Sequence, residues 1–482
     1  MFNKKNFLLG LSFILALTAC QSSQDKKSED KENVSTKQEE FVYQKEAKKE
    51  ENKDESKEES KDESKGEAES VKLAKELDEN LEKELDPLVE SYIAENIFPS
   101  AQVLIAKDGK VIFDKAYGNA QLYEGENFES VDNPEAHKIE NPIPAETDTL
   151  YDLASVTKVV ATTQAIMKLN SEGKLNLEDK VVDYLPDFGK NGKEAITIAQ
   201  LLTHTSGLPQ WEPSFLYIDN DREKLKDYIY NLEMMFDDGE VHYSDFGFIT
   251  LGYIVEEIAG ESLDKYVENE IYSKLGMNNT FYKPLDRGVE KNKIAATSWG
   301  NPFEYRMVDE EKYPDFGYDT SKDSEAFKSF DRWRKHVLVG EVNDGNTGMA
   351  SDGIAGHAGI YSNAEDLAIL CQTMLNGGSY NGEKIYESKV LYEFRQNHTG
   401  ESERGYGFEL SKKYMGTESS ESTFGHNGFT GTHISIDPEN NMFIIFLTNK
   451  QNLGLDEEGS YKGTFDSVGE FTDKVYDYLD NK

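Results

Sequence analysis

Basic residues, cysteines and long apolar runs are all scarce in this chain, and each scarcity closes a class of function. Lys and Arg number 52 against 92 Asp and Glu, a formal net charge of −40 over 482 residues. So acidic a chain repels phosphate backbones and anionic lipid headgroups, which argues against nucleic-acid binding and against membrane attachment by surface charge. Only 2 cysteines occur, Cys20 and Cys371. Cys371 lies in the apolar stretch Leu367-Ala368-Ile369-Leu370-Cys371 and reads as a packing residue, so no disulfide framework is expected. No Cys and His cluster stands at metal-ligand spacing, and no metal or other cofactor is expected. An alternating strand–helix–strand pattern and a G-x-S-x-G elbow are also missing, which disfavours the α/β-hydrolase architecture.

The one long apolar run, from Phe7 to Leu17, follows Lys4 and Lys5 and leads into Leu17-Thr18-Ala19-Cys20. Residues 1–20 therefore read as a signal peptide whose apolar core is short for a permanent span. The ending resembles the lipobox of bacterial lipoproteins, which implies lipidation of Cys20 and a location on the extracytoplasmic face of the cell membrane. A single acyl chain anchors only marginally, so at least two are implied. Residues 21–70 hold 11 Lys and 17 acidic residues, with Lys-Asp-Glu-Ser-Lys at 53–57 and again at 61–65. Such a segment cannot bury enough apolar surface to offset the entropy of ordering it, and is expected to be a disordered tether reaching roughly 40 Å.

From residue 71 the pattern changes to that of a folded domain, expected to cover 71–482. Leu73, Leu77, Leu81, Leu85, Leu88, Val89 and Tyr92 recur at helical spacing, with Pro87 as an interruption. Two β-rich runs then meet at Asp108-Gly109, a strong hairpin signal. A helix is expected from about Ser155 to Gly173, helical segments to about residue 278, and a loop-rich insertion over 296–350. Ala364 to Leu375 reads as a helix closed by Gly377-Gly378. Strand-like sequence with a turn at Pro438-Glu439-Asn440-Asn441 follows, then a helix from Phe471 to Leu479. Strands at both ends with helices between predict an α+β fold. Its antiparallel sheet would be built from the two termini, with a mostly helical insertion.

The chemistry centres on Ser155-Val156-Thr157-Lys158. Residues three apart share a helix face, so the Ser155 hydroxyl and Lys158 amine can meet. A serine at a helix start also sets its own N–H where an oxyanion could be held. The same spacing occurs at Ser23, Ser28, Ser171 and Ser262, where surface charge explains it. Only around Ser155 are the neighbours small and apolar (Leu153, Ala154, Val156, Val159, Val160), which would bury the pair and lower the basicity of the lysine.

Two further segments follow in order: Tyr243-Ser244-Asp245 at the head of an apolar helical run, and His426-Asn427-Gly428, expected to begin a C-terminal strand. With 201–209 (LLTHTSGLP), 353–359 (GIAGHAG) and 362–367 (SNAEDL), these resemble the class C β-lactamase-related serine hydrolases. That group includes penicillin-binding proteins, D-alanyl peptidases, esterases and β-lactamases, and the resemblance spans roughly residues 85 to 480. It implies a β-lactamase/DD-peptidase-like fold and acyl transfer through Ser155. Lys158 and Tyr243 would move protons, with His426 at the catalytic strand. The N–H groups of Ser155 and Phe429 would form an oxyanion hole, and Asp245, Asn427 and Gly428 would line the substrate. The implied partners are a peptidoglycan-derived peptide, an ester or a β-lactam.

The chain departs from the usual family pattern twice. Asp245 replaces an Asn, and its charge should favour the Lys158 ammonium, moving the base role toward Tyr243, with its phenolate stabilised by Lys158. His426 replaces a lysine, which weakens the grip on a carboxylate. The leading expectation is an extracytoplasmic hydrolase of D-alanyl cell-wall peptides. The alternatives are a carboxylesterase or weak β-lactamase on the same site, or an idle surface protein that binds wall peptides or a partner. His204 and His357 are secondary candidates to touch the site. Trp211, Trp299 and Trp333 could stack on a ligand or pack loops.

Overall fold

The computed structural model describes residues 72–309, 311–313 and 321–482. The signal peptide, Cys20 and the 21–70 segment lie outside the described residues, as does part of the 296–350 insertion.

One central sheet is built from both ends of the domain. Its strands are β1 (Ala74–Lys75), β2 (Ser100–Lys107), β3 (Lys110–Glu124), β4 (His137–Pro144), β10 (Phe424–Asn427), β11 (His433–Asp437) and β12 (Met442–Thr448). They run in the order β1-β3-β2-β12-β11-β10, with β4 also on β3. A smaller sheet joins β5 (Tyr151–Asp152), β6 (Phe281–Tyr282) and β7 (Ile360–Ser362), and a minor hairpin pairs β8 (Ser379–Tyr380) with β9 (Glu383–Lys384). The termini meet where β12 pairs antiparallel with β2, Phe446 opposite Val103 and Ile444 opposite Ile105. The pairing is antiparallel throughout except that β1 runs parallel to β3, so the sheet is mixed where an all-antiparallel one was expected.

The alternation along β2 and β12 divides the core. Ala101, Val103, Ile105, Met442, Ile444 and Phe446 face α1 (Glu79–Ala94) and α5 (Phe465–Asp480). Leu104, Ala106, Phe443, Ile445 and Leu447 face the layer containing α2 (Thr163–Ser171), α3 (Asp245–Ala259) and α4 (Ala364–Leu375). This is the period-2 burial that a sheet covered on both faces requires.

The turns expected from sequence form for local reasons. Asp108 and Gly109 take φ of 53° and 73°, the left-handed pair of a tight hairpin. The turn between β11 and β12 is closed by Asn441 N–H donating to the Pro438 carbonyl at 3.3 Å. Asn363 caps α4 through the Asp366 N–H at 2.9 Å.

Two helix starts, the effect of Pro87 and the content of the 296–350 insertion differ from expectation. The first helix starts at Glu79, not near residue 71, because Asp78 caps it by accepting from the Asn80 and Leu81 N–H groups. Leu73 and Leu77 are thus outside the helix; Ala74–Lys75 pairs with β3 instead, and Lys75 bonds Asp114 at 2.6 Å. Pro87 sits inside the helix without ending it, held by the buried stripe Leu81, Leu85, Val89 and Tyr92. The last helix begins at Phe465, six residues before the expected Phe471. The 296–350 insertion is more structured than its composition implied, with helical turns at Pro302–Val308, Ser324–Ser329 and Gly345–Ala350.

Candidate active site

The segment carrying Ser155 is not a regular helix. A 3₁₀ turn over Ala154–Val156 leads into a wide π turn over Lys158–Thr162, and only then does α2 begin. Wide turns of this kind recur at functional sites because they re-aim side chains. Ala154 has φ of 46°, unfavourable for a residue with a Cβ, immediately before the serine. Asp152 holds that conformation. One carboxylate oxygen accepts from the Ala154 N–H at 2.9 Å and the other from the Asn343 N–H at 2.7 Å. Burial pushes the Asp152 carboxyl up to about 6.

The C-terminal hairpin is docked onto the same segment. Thr430 Oγ1 donates to the Asp152 carbonyl at 2.7 Å, and Thr432 Oγ1 to the Leu153 carbonyl at 2.9 Å. Gly428 lies so close to Leu153 that a Cβ would collide with its carbonyl oxygen and with Thr432 Oγ1, so only glycine fits. His426 and Asn427 close strand β10 and Gly428 enters the turn, whereas the triplet was expected to begin a strand. Among the described residues, the N–H groups of Ser155 and Phe429 donate to no protein acceptor. Free donors on facing segments are what an oxyanion hole needs.

Lys158 is fully buried, and its Nζ lies 3.1 Å from Ser155 Oγ, 2.7 Å from Asp245 Oδ1 and 3.4 Å from the His357 carbonyl. Burial lowers its basicity, but the neighbouring Asp245 charge and Tyr243 outweigh that and hold it above the ordinary lysine value. The buried lysine therefore does not lose basicity as the apolar neighbours suggested; the carboxylate reverses the sign.

Tyr243 is held from four sides. Lys158 Nζ lies 4.7 Å and the Arg404 guanidinium 5.5 Å from its ring centroid, and the His204 ring packs at 4.4 Å. The His426 ring centroid lies 6.2 Å away. Its buried hydroxyl has no hydrogen-bond partner among the described residues, yet it faces the Ser155–Lys158 pair. Burial pushes the phenol up, Lys158 opposes this, and Asp245 reinforces it; the net direction is upward. Tyr243 is thus a neutral phenol at rest, not the phenolate expected from sequence.

His426 is neutral as well. Burial, with Lys158 and Arg404 nearby, pushes it down to about 3. Its Nδ1 donates to the Asn427 carbonyl at 2.7 Å, which leaves Nε2 as a buried acceptor with no partner. Asn427 Oδ1 is taken by His433 Nδ1 at 2.8 Å, so the Asn427 side chain is partly committed within the protein.

The accessory motifs turn out to be supports. In the 201–209 segment, His204 Nδ1 accepts from the Ser244 N–H at 3.0 Å while the Pro209 carbonyl accepts from Ser244 Oγ at 2.6 Å. That cradle fixes Tyr243 and Asp245 at the start of α3. In the 353–359 segment, Gly356 presses on the Phe248 carbonyl too closely for a Cβ, which brings the His357 carbonyl to Lys158. His357 Nε2 bonds Asp344 at 3.0 Å. The tryptophans pack loops. Trp333 sits against Phe215, Tyr305, Phe327 and Phe330, Trp299 bonds the Asn452 carbonyl at 3.1 Å, and Trp211 packs near Phe215.

Sequence reasoning missed Asp152, Asp344 and the buried ion pair of Arg404 with Glu409 at 3.0 Å. Asp152 carried a usable signal, three residues before Ser155 in an otherwise apolar run.

The Beta-lactamase family model matches residues 85–463. The chain belongs to that family. It is 32% identical over 412 residues to a protein of Escherichia coli (strain K12) named "Putative D-alanyl-D-alanine carboxypeptidase", covering 80% of this chain and 88% of the relative. It is 34% identical over 385 residues to the N-acetylmuramyl-L-alanine amidase of Bacillus subtilis (strain 168), covering 76% and 80%. The fold is shared with a penicillin-binding protein homologue from Caulobacter crescentus, at TM-score 0.59 and 18% identity over 83% of this chain and 98% of that one. As a Beta-lactamase family member the protein is a serine hydrolase of the β-lactamase and penicillin-binding-protein type, and the expected α+β architecture stands.

Proposed function

We propose that the protein is an extracytoplasmic hydrolase of cell-wall D-alanyl peptides, working through an acyl-enzyme on Ser155. The carrying observation is the contact of Ser155 Oγ with Lys158 Nζ at 3.1 Å, beneath the unpartnered Tyr243 hydroxyl and beside two free N–H groups.

The charge states suggest how the proton moves. Ser155 Oγ attacks the substrate carbonyl as its proton passes to Tyr243 Oη, and the Tyr243 proton passes to the leaving group. The tyrosine stays neutral overall, which suits a phenol whose burial disfavours its anion. The Lys158 ammonium, fixed by Asp245, stabilises the negative charge that develops as the proton moves from Ser155 toward Tyr243. The oxyanion that forms is received by the Ser155 and Phe429 N–H groups, each worth about 10²–10³ in rate. Water then repeats the sequence on the ester and releases Ser155.

Support for a D-alanyl substrate comes from the name of the Escherichia coli relative, while the Bacillus subtilis relative is named for an N-acetylmuramyl-L-alanine amide. Attachment through a lipidated Cys20 rests on the 1–20 sequence. A second reading, an esterase or weak β-lactamase, is favoured by one observation: the strand position that should grip a carboxylate holds a neutral imidazole, His426.

Incubation with a reporter penicillin and with a fluorophosphonate, followed by mass location of the label, tests the nucleophile. Label is expected on Ser155. An intact fold with Ser155 unmodified by both reagents would refute the enzymatic reading and leave a wall-peptide or partner-binding protein. A panel of D-alanyl peptides, nitrocefin and p-nitrophenyl esters then ranks the substrates. Incorporation of labelled palmitate, lost in Cys20→Ala, tests the anchor.

A further inference from the structure

Among the described residues, five Lys and Arg side chains are essentially buried, and four of them are committed. Lys158 pairs with Asp245, Lys168 with Glu172, and Arg404 with Glu409; Lys193 donates to the Tyr230 and Leu232 carbonyls. The fifth is Lys450, 6% exposed, whose ammonium has no ion pair and no hydrogen bond among the described residues. With its stem covered and its ammonium unpaired at the surface of that packing, the side chain is left to meet an anion from outside the protein.

Its position is specific. Lys450 directly follows β12 and Asn449, and its backbone N–H donates to the Thr430 carbonyl at 3.2 Å. Its stem lies against Gly431, and its Nζ sits 5.5 Å from the centroid of the Phe429 ring. Phe429 is one of the few large apolar side chains left exposed, at 39%, and its N–H is the second candidate oxyanion donor. The ring also packs against Phe303 at 5.4 Å and Tyr461 at 5.9 Å. Lys450 therefore packs against the five-residue turn 428–432 that carries the free N–H, with its ammonium over the exposed Phe429 ring.

We infer that Lys450 is the cation that selects substrates bearing a carboxylate beside the scissile bond, such as the C-terminal carboxylate of a D-alanyl peptide or the carboxylate of a β-lactam. The inference rests on the acyl-transfer reading of Ser155 and adds to it the residue that recognises charge. Elimination supports it: Lys158 and Arg404 are neutralised in place, and His426 and His204 are held neutral by burial. Burial also brings Lys450 down to about 8, so at neutral pH most of it is charged, and a bound anion would restore its proton affinity.

The test separates binding from chemistry. In a Ser155→Ala background, which cannot be acylated, calorimetry compares N-acyl-D-alanyl-D-alanine with its C-terminal amide. A matched arm compares benzylpenicillin with its methyl ester. The acid of at least one pair should bind about tenfold more tightly than its neutral partner. Lys450→Met should abolish that preference while leaving the neutral ligand unchanged, and Lys450→Arg should retain it. Whichever pair shows the preference identifies the source of the carboxylate. An unchanged acid-to-neutral ratio in Lys450→Met, equal loss for both members, or no preference in either arm would overturn the assignment. Fluorophosphonate labelling of Ser155 in otherwise wild-type protein and in Lys450→Met reads the nucleophile separately. Equal labelling with a failed binding test sinks Lys450 alone, and absent labelling in the wild type sinks the hydrolase reading.

Discussion

Lys158 Nζ is closer to Asp245 Oδ1, at 2.7 Å, than to the serine it is meant to serve, at 3.1 Å. The carboxylate keeps the ammonium charged against full burial, and this sets the charge economy of the whole site.

Replacing Asp245 should therefore alter the pH profile more than the fold. In Asp245→Asn burial is no longer opposed by a carboxylate, and the Lys158 pKa falls. A rising limb near neutrality should appear in kcat/KM, as a free lysine becomes available as a base. The variant should lose about 3 kcal/mol of stability at pH 6, the cost of an unpaired buried charge, and less at pH 9. The sign follows from linkage: a folded-state lysine pKa below the unfolded value costs stability where the unfolded chain is protonated, and the cost shrinks as pH rises. Denaturant melts at the two pH values check this, and an equal loss at both would contradict it.

If the neutral Tyr243 relays the proton, Tyr243→Phe should cost at least as much activity as Lys158→Ala. The expected loss is about 10²–10⁴ in kcat/KM, the usual worth of positioned proton transfer. Measurement on one p-nitrophenyl ester suffices, and the reverse order would return the base role to the lysine.

Asp152 should produce the acid limb of activity. Its carboxyl titrates near 6, and protonation weakens the bonds that hold Ala154 in its strained conformation. Activity should fall several-fold between pH 6.5 and 5, and Asp152→Asn should show a flat, lower profile across that range, since strain of this kind is worth about 1–3 kcal/mol. A variant retaining the wild-type acid limb would assign that limb elsewhere.

Glu304 offers a stability test away from the reacting atoms. Burial, with Asp344 nearby and Arg334 opposing, pushes it up to about 7, while its carboxylate accepts from the Gly345 N–H at 2.6 Å. A folded-state pKa raised above the unfolded value means that folding binds a proton between about pH 4.5 and 7. Stability should then decline as pH rises through that window. Glu304→Gln should remove the decline, a difference of about 2–3 kcal/mol at pH 8. Parallel melting curves for the two proteins across pH 5–8 would exclude the assignment.

The sequence disclosed the parts of the site that are local. Ser155 and Lys158 lie within one turn, and Tyr243 and Asp245 flank the cap of one helix, so spacing alone brought each pair together. It disclosed the sheet because β2 and β12 are short β-rich apolar runs whose turns carry Asp108-Gly109 and Pro438 to Asn441. What stayed hidden depends on distant partners. Ala74–Lys75 reads as part of a leucine-spaced helix until β3 is there to pair with it. The Tyr243 state was misjudged because attraction to Lys158 is visible in sequence, whereas the extent of burial is not. Lys450 carries no mark in the sequence, because its covering depends on residues distant along the chain.

The nucleophile segment is completed by Thr430 and Thr432, which reach back across 278 and 279 residues to bond the carbonyls of Asp152 and Leu153. During synthesis Ser155 leaves the ribosome long before that hairpin exists, and a nascent or C-terminally clipped chain lacks both the clamp on its backbone and the N–H of Phe429, the second candidate oxyanion donor. Assembly order thereby becomes a safeguard. On the proposed mechanism the site is complete only when the final strands close the sheet, and proteolysis that removes the chain from Gly428 onward should abolish activity.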